Sequence, residues 1–157
     1  MTQSPDERLL SLGIKLGDPP VPAANYIPYV AVNDIIYISG QLPLVNGKLE
    51  ITGRVGENIS TEQAANQAKI CAINLISQLR VACNGNLNKV EKVIKLGGFV
   101  CCTNQFTDQP EVINGASNFM VDIFGQDIGK HARFAIGTSS LPRGTCVEIE
   151  GTFKIKE

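Results

Sequence analysis

The residues best suited to chemistry lie between His131 and Glu150, in HARFAIGTSSLPRGTCVEIE, which sets one arginine and two carboxylates on two extended runs joined by a proline-marked loop. In the first run Arg133, Ala135 and Gly137 point to one sheet face, and Phe134 and Ile136 to the other. From Cys146 the alternation is clean: Val147, Ile149, Gly151, Phe153 and Ile155 are apolar, while Glu148, Glu150, Thr152, Lys154 and Lys156 are polar. If the two runs pair as a hairpin-like unit, Arg133 and Glu148 share a face. A guanidinium fork suits a small carboxylate, and a glutamate beside it can position a water or move a proton. Taken alone, the same residues fit a structural ion pair on a solvated sheet face better than a site. His131 can tune the arginine or touch a ligand, or it can be a capping or surface residue. Lys95, in an apolar run, is expected to snorkel at an oligomer edge without chemistry of its own.

The elements that must hold these residues are marked along the chain. Ser4, Pro5 and Glu7 read as an N-cap, an N1 proline and a capping box for a short helix to about Leu12. Residues Lys15 to Ala24, with Pro19, Pro20 and Pro22, read as an extended arm with no obvious chemistry. Tyr26–Val32 and Ile35–Ser39 form a strand pair about Asn33-Asp34, and Gly40 either lets a ligand approach the backbone or, the better reading of these residues alone, marks a bulge or strand end. Asn46-Gly47 is a further turn before a short strand at Lys48–Ile51. Ser60 and Gln63 open a long helix whose Ala64, Ala68, Cys71, Leu75, Leu79 and Ala82 make a core stripe, closed by Asn84-Gly85. Val90–Cys102 is a strand apolar on both faces. Pro110 starts a second helix that Gly125 is expected to end, with Gln126–Lys130 as a loop.

The fold class is therefore α+β, a single domain of residues 1–157 in which 1–24 form a helix and arm and 25–157 a core. It is a mixed sheet with two long helices on one face. Two helices cover one face only, yet the central strand and Ile35, Ile36, Tyr37 and Ile38 are apolar on both. A second copy must cover the other face, so a homo-oligomer packed sheet against sheet is expected, with the polar set lining a cleft between subunits.

With 14 Lys+Arg against 15 Asp+Glu and 6% aromatic residues, composition argues against a nucleic-acid surface. No apolar run is long enough for a membrane span, and the N-terminus has no export signal, so a cytoplasmic location is expected. The five cysteines, an odd count inside apolar patterns, read as reduced buried thiols, and with one histidine no metal site is expected.

Taken together, Tyr26 ahead of Ser39-Gly40-Gln41-Leu42-Pro43, the long helix after it, Asn114, and Arg133 followed by Leu141-Pro142 and Val147-Glu148-Ile149-Glu150 give a pattern from Tyr26 to the C-terminus. It resembles the reactive-intermediate deaminase (Rid, YjgF-like) superfamily, often labelled endoribonuclease L-PSP, in its longer-chain branch. The resemblance implies a chorismate-mutase-like fold, a homotrimeric barrel of sheets with three clefts at subunit boundaries, and no cofactor. It implies hydrolysis of 2-imino acids, or their enamine tautomers, to 2-keto acids and ammonia. Arg133 matches the carboxylate-binding arginine, Glu148 the water-orienting glutamate, Tyr26 the cleft tyrosine, Gly40 the glycine bordering the ligand and Asn114 the helix asparagine. Short members carry a cysteine where this chain has Ala135, whose backbone N–H is left to face a ligand, and the N-terminal helix lies outside their pattern.

Three rivals remain at this stage. A non-catalytic trimer binding small carboxylates would use Arg133 without needing Glu148. A ribonuclease conflicts with the charge balance, and a chorismate mutase rests on fold likeness alone.

Overall fold

The computed structural model describes residues 3–22 and 24–156; Ala23 of the expected arm lies outside them. In chain order the elements are α1 (Pro5–Ser11), β1 (Tyr29–Val32), β2 (Ile35–Gln41), β3 (Leu44–Val45), β4 (Lys48–Leu49), α2 (Thr61–Ala82), β5 (Val90–Cys101), α3 (Gln109–Gly129), β6 (Ala132–Thr138) and β7 (Val147–Ile155).

Local chemistry explains where most of these begin and end. Ser4 opens α1, accepting from the Glu7 N–H at 3.2 Å while the Glu7 carboxylate accepts from the Ser4 N–H at 2.7 Å. Ser60 and Gln63 repeat that reciprocal pair at the start of α2. Asn46 and Gly47, with φ of 50° and 77°, turn β3 into β4 in the left-handed region that these residue types accept. The strand after Tyr26 starts later than expected, at Tyr29, leaving Tyr26 in a bend.

The second long helix also departs from expectation. Gly125 breaks it, with φ 79° and ψ 173°, but the chain then resumes helical turns to Gly129 instead of running as a loop. The resumed turn presents the Gly129 carbonyl to His131.

β1, β2, β7, β5 and β6 form one sheet in that order, antiparallel throughout except for the parallel pair β5 and β6. The hairpin-like pairing expected of the strands carrying Arg133 and Glu148 is therefore wrong. β5 lies between them, which is why it is apolar on both faces. Residues 139–146 carry the chain across it.

α2 and α3 pack on one face of the sheet, over Ile36, Leu96, Val100, Val147, Ile149 and Phe153, all 1% exposed or less. Each such side chain contributes about 1.5–3 kcal/mol by leaving water. The layers approach closely where side chains are missing. A Cβ on Gly98 would sit 2.6 Å from Ile113 of α3, and one on Gly115 would collide with the Ala65 carbonyl of α2. No element of the described residues covers the opposite face, where Val30 is 46%, Tyr37 50% and Ile136 48% exposed. The described cysteines are all free and buried.

Candidate active site

The six residues singled out from sequence fall into two groups at separate places. Glu148, Gly40 and Tyr26 form the first. The register of β2 against β7 shifts between Ile38 and Gln41, and this bulge turns Gly40 toward Glu148. A Cβ at position 40 would collide with Glu148 Oε1, so the close approach requires glycine. The Ser39 hydroxyl donates to the Ile27 carbonyl at 3.1 Å, and the Ser39 N–H to the Pro28 carbonyl at 2.9 Å, tying the bend that carries Tyr26 to the bulge. Tyr26, Gly40 and Glu148 line one cavity of about 190 Å³. That is smaller than the roughly 300–1,000 Å³ of a complete small-molecule site.

Glu148 is half-buried and pairs with no cation among the described residues. Burial, and secondarily the charge of Glu150, pushes its carboxyl above the usual carboxylate range. A carboxylate so placed is poised to accept a proton from a bound water.

Arg133, Asn114 and Ala135 form the second group, at the outer edge of the sheet. Arg133 lies opposite Leu96 and Ala135 opposite Gly98, on the face that the helices cover. The Arg133 guanidinium donates to the Ser117 hydroxyl at 3.1 Å and to the Pro110 carbonyl at 3.3 Å. Pro110, Asn114 and Ser117 follow i, i+4, i+7 spacing, so the exposed Asn114 shares the α3 face that holds the arginine. Ala135 packs against the core, and β6, as an outer strand, leaves one row of backbone groups without a partner strand.

His131 belongs to this group. Its Nδ1 lies 2.7 Å from the Gly129 carbonyl, which can only accept, so Nδ1 carries the proton. Nε2, 2.9 Å from the Ser117 oxygen, then accepts the hydroxyl proton, leaving that oxygen free to take the Arg133 N–H. Burial holds the imidazole below its ordinary value, against the raising effect of the Gly129 bond, and the Arg133 and Lys92 charges push the same way as burial. Of the roles open to His131, the geometry shows two: its Nδ1–H caps the Gly129 carbonyl at the end of α3, and its Nε2 reaches Arg133 through the Ser117 hydroxyl.

Arg133 and Glu148 do not share a face. Glu148 lies opposite Phe99, which pairs with Ile136, three residues along β6 from Arg133 and of opposite facing. Ideal sheet spacings put the two backbones about 14 Å apart, on opposite sides. No ion pair joins them, so the solvated-pair reading fails as well. Lys95 lies exposed on the open face with its Nζ 5.6 Å from the Phe134 ring.

Three contributors were missed from sequence. The arm is a wall of the Glu148 cavity through Pro20, Val21 and Pro22, held by Gln78 Nε2 donating to the Pro20 carbonyl at 2.8 Å. A buried glutamine in an apolar helix stripe was the available signal. Ser117, three residues after Asn114, was legible as its neighbour on the helix. Arg143 lines the same cavity as Glu148 and was passed over as loop.

Known proteins match nearly the whole chain. Residues 6–149 match the family described as "YjgF/chorismate_mutase-like, putative endoribonuclease". Protein TCP17 of Trypanosoma cruzi is 37% identical over 147 residues, covering 94% of this chain and 91% of that protein. The crystal structure of Atu1372 from Agrobacterium tumefaciens, described as having unknown function, superposes with a TM-score of 0.89 at 41% identity, covering 98% of this chain and 94% of that one. A Shewanella oneidensis MR-1 structure, described as a "putative endoribonuclease", gives 0.93 at 26% identity, covering 98% and 100%. No helix among the described residues is long and apolar enough to cross a membrane. On this match, and with the mixed sheet and one-sided helices already in view, the chain belongs to the YjgF/chorismate-mutase-like family.

Proposed function

We propose that this protein hydrolyses 2-imino acids, or their enamine tautomers, to 2-keto acids and ammonia, without a cofactor, in clefts shared between the chains of a homotrimer. The observation that carries this reading is the sorting of the six residues into two incomplete halves. Arg133, Asn114 and Ala135 stand at one sheet edge, and Glu148, Gly40 and Tyr26 line a small cavity elsewhere. One chain cannot close them on the same ligand. Two chains can, if the edge of one meets the cavity of the next, and the exposed Val30, Tyr37 and Ile136 supply an apolar face for such packing.

In the joined cleft, Arg133 clamps the substrate carboxylate with two parallel charge-assisted hydrogen bonds, its guanidinium already oriented by Ser117 and the Pro110 carbonyl. Glu148 holds a water against the imine carbon. As the water oxygen bonds to that carbon, Glu148 takes a water proton, the C=N pair moves to nitrogen, and the Tyr26 hydroxyl gives that nitrogen a proton. In the collapse of the carbinolamine, Glu148 passes its proton to the departing nitrogen, the hydroxyl proton returns to the Tyr26 oxygen, and ammonia and the keto acid are left with both residues in their starting states. Imines hydrolyse readily unaided, so positioning and one base suffice.

The endoribonuclease description of the relatives is a poorer fit, since a net charge of -1 with one histidine gives RNA phosphates little to bind. The direct test is imine hydrolysis by Arg133→Ala. Losing the desolvated clamp should cost roughly 2–5 kcal/mol of ligand binding. Turnover equal to that of the unaltered protein would reject the assignment.

A further inference from the structure

We propose that Arg143 reads a second acid group, so that the preferred substrates are 2-imino acids whose side chain itself ends in a carboxylate. This rests on the imine-hydrolase reading and adds the substrate class to it. Arg143 stands in the turn between β6 and β7, with φ 57° and ψ 16°. A side chain in that left-handed region costs about 1–2 kcal/mol, and glycine would avoid it. The neighbouring Gly144, with φ 74°, shows that glycine is at hand in the same turn. Position 143 nonetheless holds a long cation.

The turn that presents it is fixed. The Gly144 N–H donates to the Leu141 carbonyl, the Thr145 N–H to the Pro142 carbonyl, and the Gly53 N–H to the Gly144 carbonyl. Arg143 therefore stands on an anchored loop, and it lines the same cavity as Tyr26, Gly40 and Glu148. Among the described residues lining that cavity it is the one cation and Glu148 the one anion; no ion pair within 4.0 Å joins the two or engages Arg143 elsewhere. Pro20, Pro22, Pro28 and Leu42 supply apolar walls, which strengthen a charge contact made between them. The α-carboxylate is taken by Arg133 from the other half of the cleft. A free guanidinium on the Glu148 side thus faces what the α-carboxylate does not occupy, the substrate side chain. Arginine there selects an anionic end by a forked, charge-assisted contact.

Arg143→Gly is the informative variant, because it removes the cation and relieves the backbone at once. Its melting temperature should equal or exceed that of the unaltered protein. Imines are generated in situ from glutamate and from alanine by an amino-acid oxidase, and kcat/KM is measured for each. The unaltered protein should favour the acidic imine, and the acidic-to-neutral ratio should fall roughly tenfold or more in Arg143→Gly, with partial recovery in Arg143→Lys. An unchanged ratio overturns the proposal. So does a variant whose ratio is unchanged while its oligomer dissociates, which would make Arg143 an interface residue. Calorimetry with 2-oxoglutarate and 2-oxobutyrate separates the two readings. If no imine is turned over but 2-oxoglutarate binds more tightly through Arg143, the hydrolase reading fails and the charge selection stands. If both imines are turned over equally well, the hydrolase reading stands and the role of Arg143 is overturned.

Discussion

The two halves of the proposed cleft are built in opposite ways. On the α3 and β6 side, Arg133 is held by Ser117 and the Pro110 carbonyl, with His131 and Gly129 behind them, so its charge is oriented before any ligand arrives. On the β2 and β7 side, Glu148 has no cation partner among the described residues and is placed by the shape around it, chiefly the missing side chain at Gly40. Binding a carboxylate calls for a rigid fork. Moving a proton calls for a carboxyl kept out of ion pairs, because a paired carboxylate would be too weak a base. Under the proposed function, the hydrogen-bonded side is thus suited to holding the α-carboxylate and the shape-held side to moving the proton.

Apart from the loss of Arg133 itself, variants of the shape-held half should have the largest effects. Glu148→Gln should lower turnover by about 100-fold or more while leaving keto-acid affinity intact, as paired kinetics and calorimetry would show. Equal losses of affinity and turnover would erase the distinction between the halves. The same variant should melt higher at neutral pH. A carboxyl raised by burial stabilises the fold fully only below its ordinary 4.5, and that contribution is lost as pH rises through the folded value. Gly40→Ala comes next. The new methyl meets the flexible end of Glu148, so the fold should tolerate it, but displacing the carboxylate should cost roughly 10- to 100-fold in kcat.

Changes to the groups that orient Arg133, as distinct from Arg133 itself, should be smaller, since two contacts share the task. Ser117→Ala removes one of the two observed contacts of Arg133 and should weaken carboxylate binding by roughly 1 kcal/mol, about fivefold in KM, with kcat little altered. The smallest effect is on pH dependence. Burial lowers the His131 pKa from the ordinary 6.5, so the unfolded chain takes up the proton first. Its stabilising contribution is complete above 6.5 and is lost as pH falls through the lowered folded value. Melting temperature followed downward from pH 7 should decline in that window, and His131→Gln should flatten the decline.

How much of this was legible in the sequence follows from the range over which each feature acts. The Ser4–Glu7 and Ser60–Gln63 boxes and the Asn46-Gly47 turn are decided within four residues, and they form where the sequence places them. The facing of Arg133, Ala135 and Gly137 is likewise a matter of alternation within one strand. Strand neighbours are not local. The Leu141-Pro142 loop reads as a hairpin connection because nothing in its own residues reports that β5, from forty residues earlier in the chain, is inserted between β6 and β7. The trace it leaves is in β5 itself, whose two apolar faces mark a central strand. Gly125 shows a different limit, since glycine permits a break without deciding whether helix resumes after it. The proline arm has no periodicity at all, and its place against Glu148 depends on Gln78, far along the chain. The uncovered sheet face, in contrast, was foreseen by counting helices against apolar faces.

Whether each cleft takes Arg133 from one chain and Glu148 from another is decided by mixing two inactive variants. Arg133→Ala and Glu148→Gln chains are unfolded together in equal amounts, refolded, and assayed for imine hydrolysis. Random assembly should restore both residues in roughly a quarter of the clefts, and activity should recover to about that fraction of the unaltered protein. A mixture as inactive as its two components, with mixed oligomers demonstrated by mass, would rule out a cleft shared between chains.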